Sequence, residues 1–195
     1  ASVVVTVDDD TPIAVSGAVS SGTVDEDGVV EGLADAGEGD GIPGGIGDVA
    51  GEATVATGSL TGLFQSGADE PLSYSLTSGA VAALEAQALT SCGVALAYTV
   101  AGNTITATAG AGGDDVFTFA VETTTGVWTF TLIDQLDHAP GNDENDLTIY
   151  FGGLVQATDA LDPGGEERAV RLRGAVDLHQ GAEAVAGGGD DDQAE

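Results

Sequence analysis

"DVFTFAVETTTGVWTFTLI", residues 115–133, decides how this chain folds. Successive side chains of a β-strand point to opposite faces of the sheet, and here Phe117, Phe119 and Val121 share one face. Thr124-Thr125-Gly126 supplies a turn, and Trp128, Phe130 and Leu132 then fall in register on the returning strand. Large apolar side chains at every second position, two of them rings on each arm, make this hairpin the centre of a core.

The same period runs outward from it. "VALAYTV" (94–100) places Val94, Leu96, Tyr98 and Val100 on one face, and Ala101-Gly102-Asn103 turns it into "TITATA" (104–109), a second hairpin. "ATVATGSL" (53–60) and "LSYSLT" (72–77) alternate as well, and a last pair, "LTIYFGGLVQAT" (147–158), is interrupted at Gly152-Gly153. Only "AVAALEAQAL" (80–89) has helical spacing, through Val81, Leu84 and Ala88. Many short strands separated by turns predict an all-β fold, an antiparallel β-sandwich.

Charge limits what such a domain can touch. Against 33 Asp and Glu stand three Arg and no Lys, a formal net charge of −30. A surface of that sign repels nucleic acid and anionic membranes, so neither is an expected partner. No apolar run approaches the ~18 residues of a membrane span. No basic, apolar leader opens the sequence, so export is expected to use an address elsewhere in a longer chain. The single cysteine, Cys92, precludes an intrachain disulfide and reads as a small buried hydrophobe.

The acids come in clusters at strand ends: Asp8-Asp9-Asp10, Asp25-Glu26-Asp27, Asp114-Asp115, and Asp134, Asp137, Asp143, Glu144 and Asp146. Two carboxylates ~5 Å apart repel by roughly 0.8 kcal/mol even in water. A hard divalent cation relieves that repulsion, and calcium takes six to eight oxygens from carboxylates, Asn side chains and carbonyls. "PGNDENDL" (140–147) offers a turn followed by such oxygens, although it is not an EF-hand. The competing reading is a plain solvated acidic surface.

An enzyme is not expected. Asp137-His138 lacks a partner nucleophile on a G-x-S-x-G elbow, and H-E-x-x-H is missing. A paired-carboxylate glycosidase would need an aromatic platform, and Trp128 reads as core. His138 is expected to tie a loop.

The ends of the sequence differ from its middle. "SVVVTV" (2–7) is strand-like and stops at "DDDTP" (8–12), residues 24–53 form a long Gly- and acid-rich loop, and all three Arg fall within 168–173. "AVRLRGAVDL" (169–178) reads as strand and "AGGGDDDQAE" (186–195) as a disordered tail.

In order, "VDEDG" (24–28), "GIPGGIGDVAGEATVATGSL" (41–60), "LTSCGVALAYTVAGNTITATA" (89–109), "VFTFAVETTTGVWTFTLIDQLDH" (116–138) and "ENDLTIYFGGLVQATDA" (144–160) resemble the repeat module of giant RTX adhesins exported by type I secretion. The resemblance implies tandem Ig-like or cadherin-like modules on the bacterial cell surface, with calcium stiffening acidic linkers. It implies a closing strand and linker of a preceding repeat over 1–12, a sandwich module over 13–165 and an atypical C-terminal strand and tail over 166–195. Carried over by position, Asp8, Asp9 and Asp10 become linker ligands, and Asp25, Glu26 and Asp27 open the module. Asp137, Glu144, Asp146 and Asp159 lie on module-end loops, beside Asp143 of the same acidic stretch. The implied partners are neighbouring repeats of the same chain and, through other domains, a surface glycan or protein; a ligand-binding module of the same adhesins is the alternative role. The pattern departs at 29–40, which reads as an insertion, and after "ATDA" (157–160), where the usual closing strand is replaced by "LDPGGEERAVRLR".

Overall fold

A computed structural model describes residues 12–26, 28–29, 53–66, 71–138, 147–159, 169–171 and 176–180. The aromatic hairpin forms as its alternation predicts. Asp115–Val121 (β9) and Val127–Leu132 (β10) pair antiparallel, with Phe119 opposite Phe130 and Phe117 opposite Leu132. Gly126 turns the chain at φ +66°, and the Glu122 carboxylate accepts the Thr124 and Thr125 N–H groups across the same turn.

Four further strands complete a six-stranded sheet. Val55–Ser59 (β3) borders β10, and on the other side of β9 follow Thr104–Ala109 (β8), Val94–Ala101 (β7) and Thr90–Ser91 (β6). Gly102, at φ +59°, occupies the first central position of the β7–β8 turn, where only glycine is at ease. The apolar face read on β7 holds only in its middle: Leu96 is buried and Tyr98 half-buried, while Val94 and Val100 are 45% and 46% exposed. The hairpin outruns the layer that covers it.

That covering layer consists of two three-stranded sheets. In one, Val155–Thr158 (β12) lies between Ser73–Leu76 (β5) and Ala169–Arg171 (β13); in the other, Val176–Gln180 (β14) lies between Ile149–Tyr150 (β11) and, in parallel, Ser20–Val24 (β2). Residues from the arginine-bearing end of the sequence thus join both sheets. The Gly152-Gly153 break is the 3-10 turn Gly152–Leu154, which carries the chain from one of these sheets to the other. Thr77 fixes it, donating its hydroxyl to the Gly153 carbonyl and its N–H to that of Leu154. The expected helix is one short piece, Ala80–Glu85 (α1), with Leu84 fully buried; Ile13–Ala14 (β1) and Phe64–Gln65 (β4) form a small separate ladder. None of the described helices is long and apolar enough to cross a membrane.

Between the layers the rings converge. Phe151 stacks on Phe119 with centroids 4.2 Å apart and meets Phe117 and Phe130 edge-on. Trp128 is fully buried, and its indole N–H donates to the Ser20 hydroxyl at 2.8 Å, so its one polar atom is satisfied. Burying each such side chain contributes roughly 1.5–3 kcal/mol. A Cβ at Gly58 would collide with the indole, which is why β3 carries glycine there.

The opposite face of the large sheet is of another composition. One cross-strand row reads Thr99, Thr106, Thr118, Thr131 and Val55; the row beside it reads Ala101, Thr104, Ala120, Thr129 and Thr57. Neither row holds a charged residue.

Candidate functional site

Four of the carboxylates nominated from sequence fall on described residues: Asp25, Glu26, Asp137 and Asp159. Asp8, Asp9, Asp10, Asp27, Asp143, Glu144 and Asp146 lie outside them. Two of the four, Glu26 and Asp137, border one depression. Glu26 follows β2, and its Oε1 accepts the Leu136 N–H at 2.7 Å, a bond across 110 residues of chain. Its Oε2 stands 3.3 Å from Nε2 of His138. His138 therefore ties the loop through the Glu26 carboxylate. Glu26, Gln135, Leu136, Asp137 and His138 line a depression of ≈ 200 Å³.

Asp137, on the same loop, bonds to the β6–β7 turn. Its N–H donates to the Thr90 carbonyl at 2.8 Å, and its Oδ2 accepts the Gly93 N–H at 2.8 Å. The Thr90 hydroxyl holds the Asp137 carboxyl below the usual aspartate range; burial opposes the shift, while the Gly93 and Cys92 N–H groups and His138 reinforce it. Asp134, buried at 8% exposure, accepts the Gln135 N–H, and its own N–H bonds to Val116. Asp137 thus fastens this loop to the β6–β7 turn, Glu26 fastens it to the end of β2, and the Asp134 backbone N–H fastens it to the start of β9.

The β6–β7 turn also corrects the reading of Cys92. Cys92 and Gly93 sit at φ +49° and +73°, the two positive φ values of a type I′ hairpin turn. The alternation of β7 begins only at Val94, so Cys92 is half-buried at the turn rather than enclosed in a strand. Its sulfur accepts a bond from the Gln135 amide at 3.3 Å.

Asp25 adjoins Glu26, and its N–H reaches the Ala53 carbonyl at 2.9 Å. Asp159 is at the far end of the sandwich. It follows Thr158, which pairs with Ser73, and the next residue of β5, Tyr74, donates its N–H to Thr123 in the β9–β10 turn. The structure therefore divides the described candidates between the two ends of the sandwich.

No family model, curated protein or solved structure matches the chain. What the site can hold must be judged from its own donors. Glu26 and Asp137 offer hard carboxylate oxygens, the type calcium takes, and each oxygen has a second lone pair beyond the N–H it accepts. Among the described residues no group of three or more His, Cys, Asp or Glu side chains is placed to hold an ion. The donors fit calcium by type, and their number reaches six to eight only with oxygens from elsewhere, for which Asp143, Glu144 and Asp146 are next in sequence.

Two polar side chains make bonds that the sequence did not announce, Asn103 having read only as a turn residue. The Asn103 amide donates to the Tyr74 carbonyl (3.0 Å) and the Thr123 hydroxyl (2.9 Å), and its oxygen accepts the Leu76 N–H (3.3 Å). The Gln87 amide donates to the Tyr150 carbonyl and accepts its N–H, pairing with β11 as a strand would. Their partners are remote in sequence, so no local motif signals either role.

Proposed function

We propose that this chain is a calcium-stabilised structural spacer, an extender module of a large secreted adhesin on the bacterial cell surface. The observation that carries the reading is the position of the acids. Within a −30 chain, Asp25, Glu26 and Asp137 gather at one end of the sandwich and Asp159 stands at the other. A spacer in a tandem array works through its two ends, where it meets its neighbours.

Without calcium the acidic ends and linkers repel one another and remain pliant, a state suited to export. Outside the cell, calcium above the roughly 10⁻⁴–10⁻³ M dissociation constants of extracellular modules neutralises them and favours the folded, extended array by mass action. Glu26 and Asp137 would contribute oxygens while continuing to hold the 134–138 loop.

Thermal unfolding of the purified chain in chelator, in millimolar calcium and in equimolar magnesium tests this. A rise of many degrees specific to calcium is expected. Equal melting in all three, or equal help from any salt, would leave the acids as a solvated surface and sink the spacer reading.

A further inference from the structure

We propose that the slot between β2 and β11 is a strand-receiving site, and that residues 2–7 of a second copy of this chain are the strand it takes in place of β14. In the structure β14 fills the slot. It runs parallel to β2, from Val176 opposite Ser20 to Gln180 opposite Val24, and antiparallel to β11, with Leu178 opposite Ile149. A strand there is paired along both edges. The sequence in this central position is nevertheless "VDLHQ" (176–180). Strands favour β-branched and aromatic residues and are depleted in aspartate. Only Val176 of the five is of the favoured type, and Asp177 is of the disfavoured one. Local preference and position disagree, the mark of a strand that another could replace.

"SVVVTV" (2–7), which lies outside the described residues, is the opposite case. Five of its six residues are Val or Thr and none is charged, so every position suits a central strand. In any register it offers valine to both faces, Val3, Val5 and Val7 to one and Val4 to the other. Two chains of net charge −30 repel. This contact needs no complementary charge, because main-chain hydrogen bonds along an uncharged strand supply its affinity. A strand docked parallel to β2 leaves the slot at the Val24 end, and Asp8-Asp9-Asp10 then follow toward Asp25 and Glu26. The chain's own residue 13 is at the other end, where the Val15 N–H bonds Leu63 and that of Leu60 bonds Gly126. Docking within one copy would make residues 8–12 return the whole slot, about 17 Å, at nearly full stretch. A second copy's strand is free of that demand.

The tether keeps the slot closed. Residues 172–175 alone join β14 to β13, and so short a link holds a strand at an effective concentration in the millimolar range. A strand from another copy must overcome that advantage, so copies join when β14 is weakened and stay apart when it is intact. The contact is heterologous: the strand of one copy enters the slot of the next, which builds open chains rather than a closed dimer.

Leu178→Pro in the full chain removes a ladder donor from the middle of β14 and opens the slot. The measurement is made in chelator at about 1 M salt, where the Debye length is about 3 Å and Asp8-Asp9-Asp10 are screened from Asp25 and Glu26. Sedimentation should then show the parent chain as a monomer and the Leu178→Pro chain as a concentration-dependent series of oligomers. A synthetic peptide of residues 1–10 should cap that variant in a one-to-one complex and raise its melting temperature. The same peptide carrying Val4→Pro should bind at least about tenfold more weakly. The full chain carrying both Val4→Pro and Leu178→Pro should stay monomeric and still take the unaltered peptide, which a misfolded protein could not do. Oligomers that persist in this double variant, a Leu178→Pro chain that stays monomeric, or a peptide that leaves the melting temperature unchanged would overturn the proposal. Calcium is absent throughout, so the outcome is separate from that of the spacer reading.

Discussion

At Phe119 the sandwich is held by ring surface, and at Glu26 by hydrogen bonds to a carboxylate, and the two regions answer to different variables. Phe119 lies between Trp128 and Phe151, each within stacking distance, with no polar atom involved. Its contribution is insensitive to ionic strength and to the protonation of any group. Glu26 joins β2 to the 134–138 loop through one N–H and one imidazole near the surface. That contribution depends on charge, and hence on any bound cation. One end of this molecule can be adjusted by its surroundings while the centre cannot.

The largest effect should come from cutting into the centre. Phe119→Ala removes a fully buried ring and is expected to cost about 3–5 kcal/mol, as phenylalanine truncations in packed cores do. Urea denaturation at neutral and mildly acidic pH, with and without calcium, should give the same loss throughout. A loss that varied with calcium would break the comparison, because it would make the core part of the cation-dependent machinery.

Next is Asn103→Ala, which strips hydrogen bonds from Tyr74, Leu76 and Thr123 where the two layers meet. Leaving a carbonyl and an N–H unpaired should cost on the order of 2 kcal/mol, again independent of calcium. Circular dichroism during thermal unfolding checks both statements, and a neutral substitution would mean that water replaces the amide fully.

These two residues also mark what could be read in advance. Phe119 was legible because a large apolar side chain at every second position on both arms of a hairpin admits one orientation, core-facing. The exposure of Val94 and Val100 was not, because alternation fixes which residues share a face but not how far the covering layer extends. Asn103 read only as a turn residue, since its partners lie 20 to 29 residues away in sequence. At the candidate site, residue type was legible and assembly was not. The Glu26–Leu136 bond spans 110 residues, and nothing near either residue announces the other. The left-handed Cys92 was missed for a local reason: a type I′ turn ordinarily advertises itself as Asn-Gly, and this one reads Cys-Gly.

Asp137→Asn probes the tunable end. The folded-state pKa of Asp137 is depressed, so its stabilisation is complete above the unfolded aspartate value near ~3.9 and disappears as pH falls through the folded value. The substitution should cost on the order of 1 kcal/mol at neutral pH, after allowance for the solvent screening of an exposed group. The gap between parent and variant should close in acid. Urea midpoints at a series of pH values measure it, and a gap that stayed constant would show that geometry rather than charge is what Asp137 contributes.

The smallest effect is expected from Glu26→Gln, and it sharpens the comparison most. The glutamine oxygen can still accept the Leu136 N–H, so the change removes the charge toward His138 and little else. Its cost in chelator should lie below about 1 kcal/mol, as for exposed polar pairs generally. Glu26→Ala should cost more, because it also leaves the N–H of buried Leu136 without its acceptor. Equal losses from the two variants would assign the whole clamp to charge. If the carboxylate also donates to calcium, the glutamine variant separates from the parent mainly in calcium, losing most of the rise in melting temperature while matching it closely in chelator. If the two proteins gain equally from calcium, Glu26 fastens the loop and the ion is held by other oxygens.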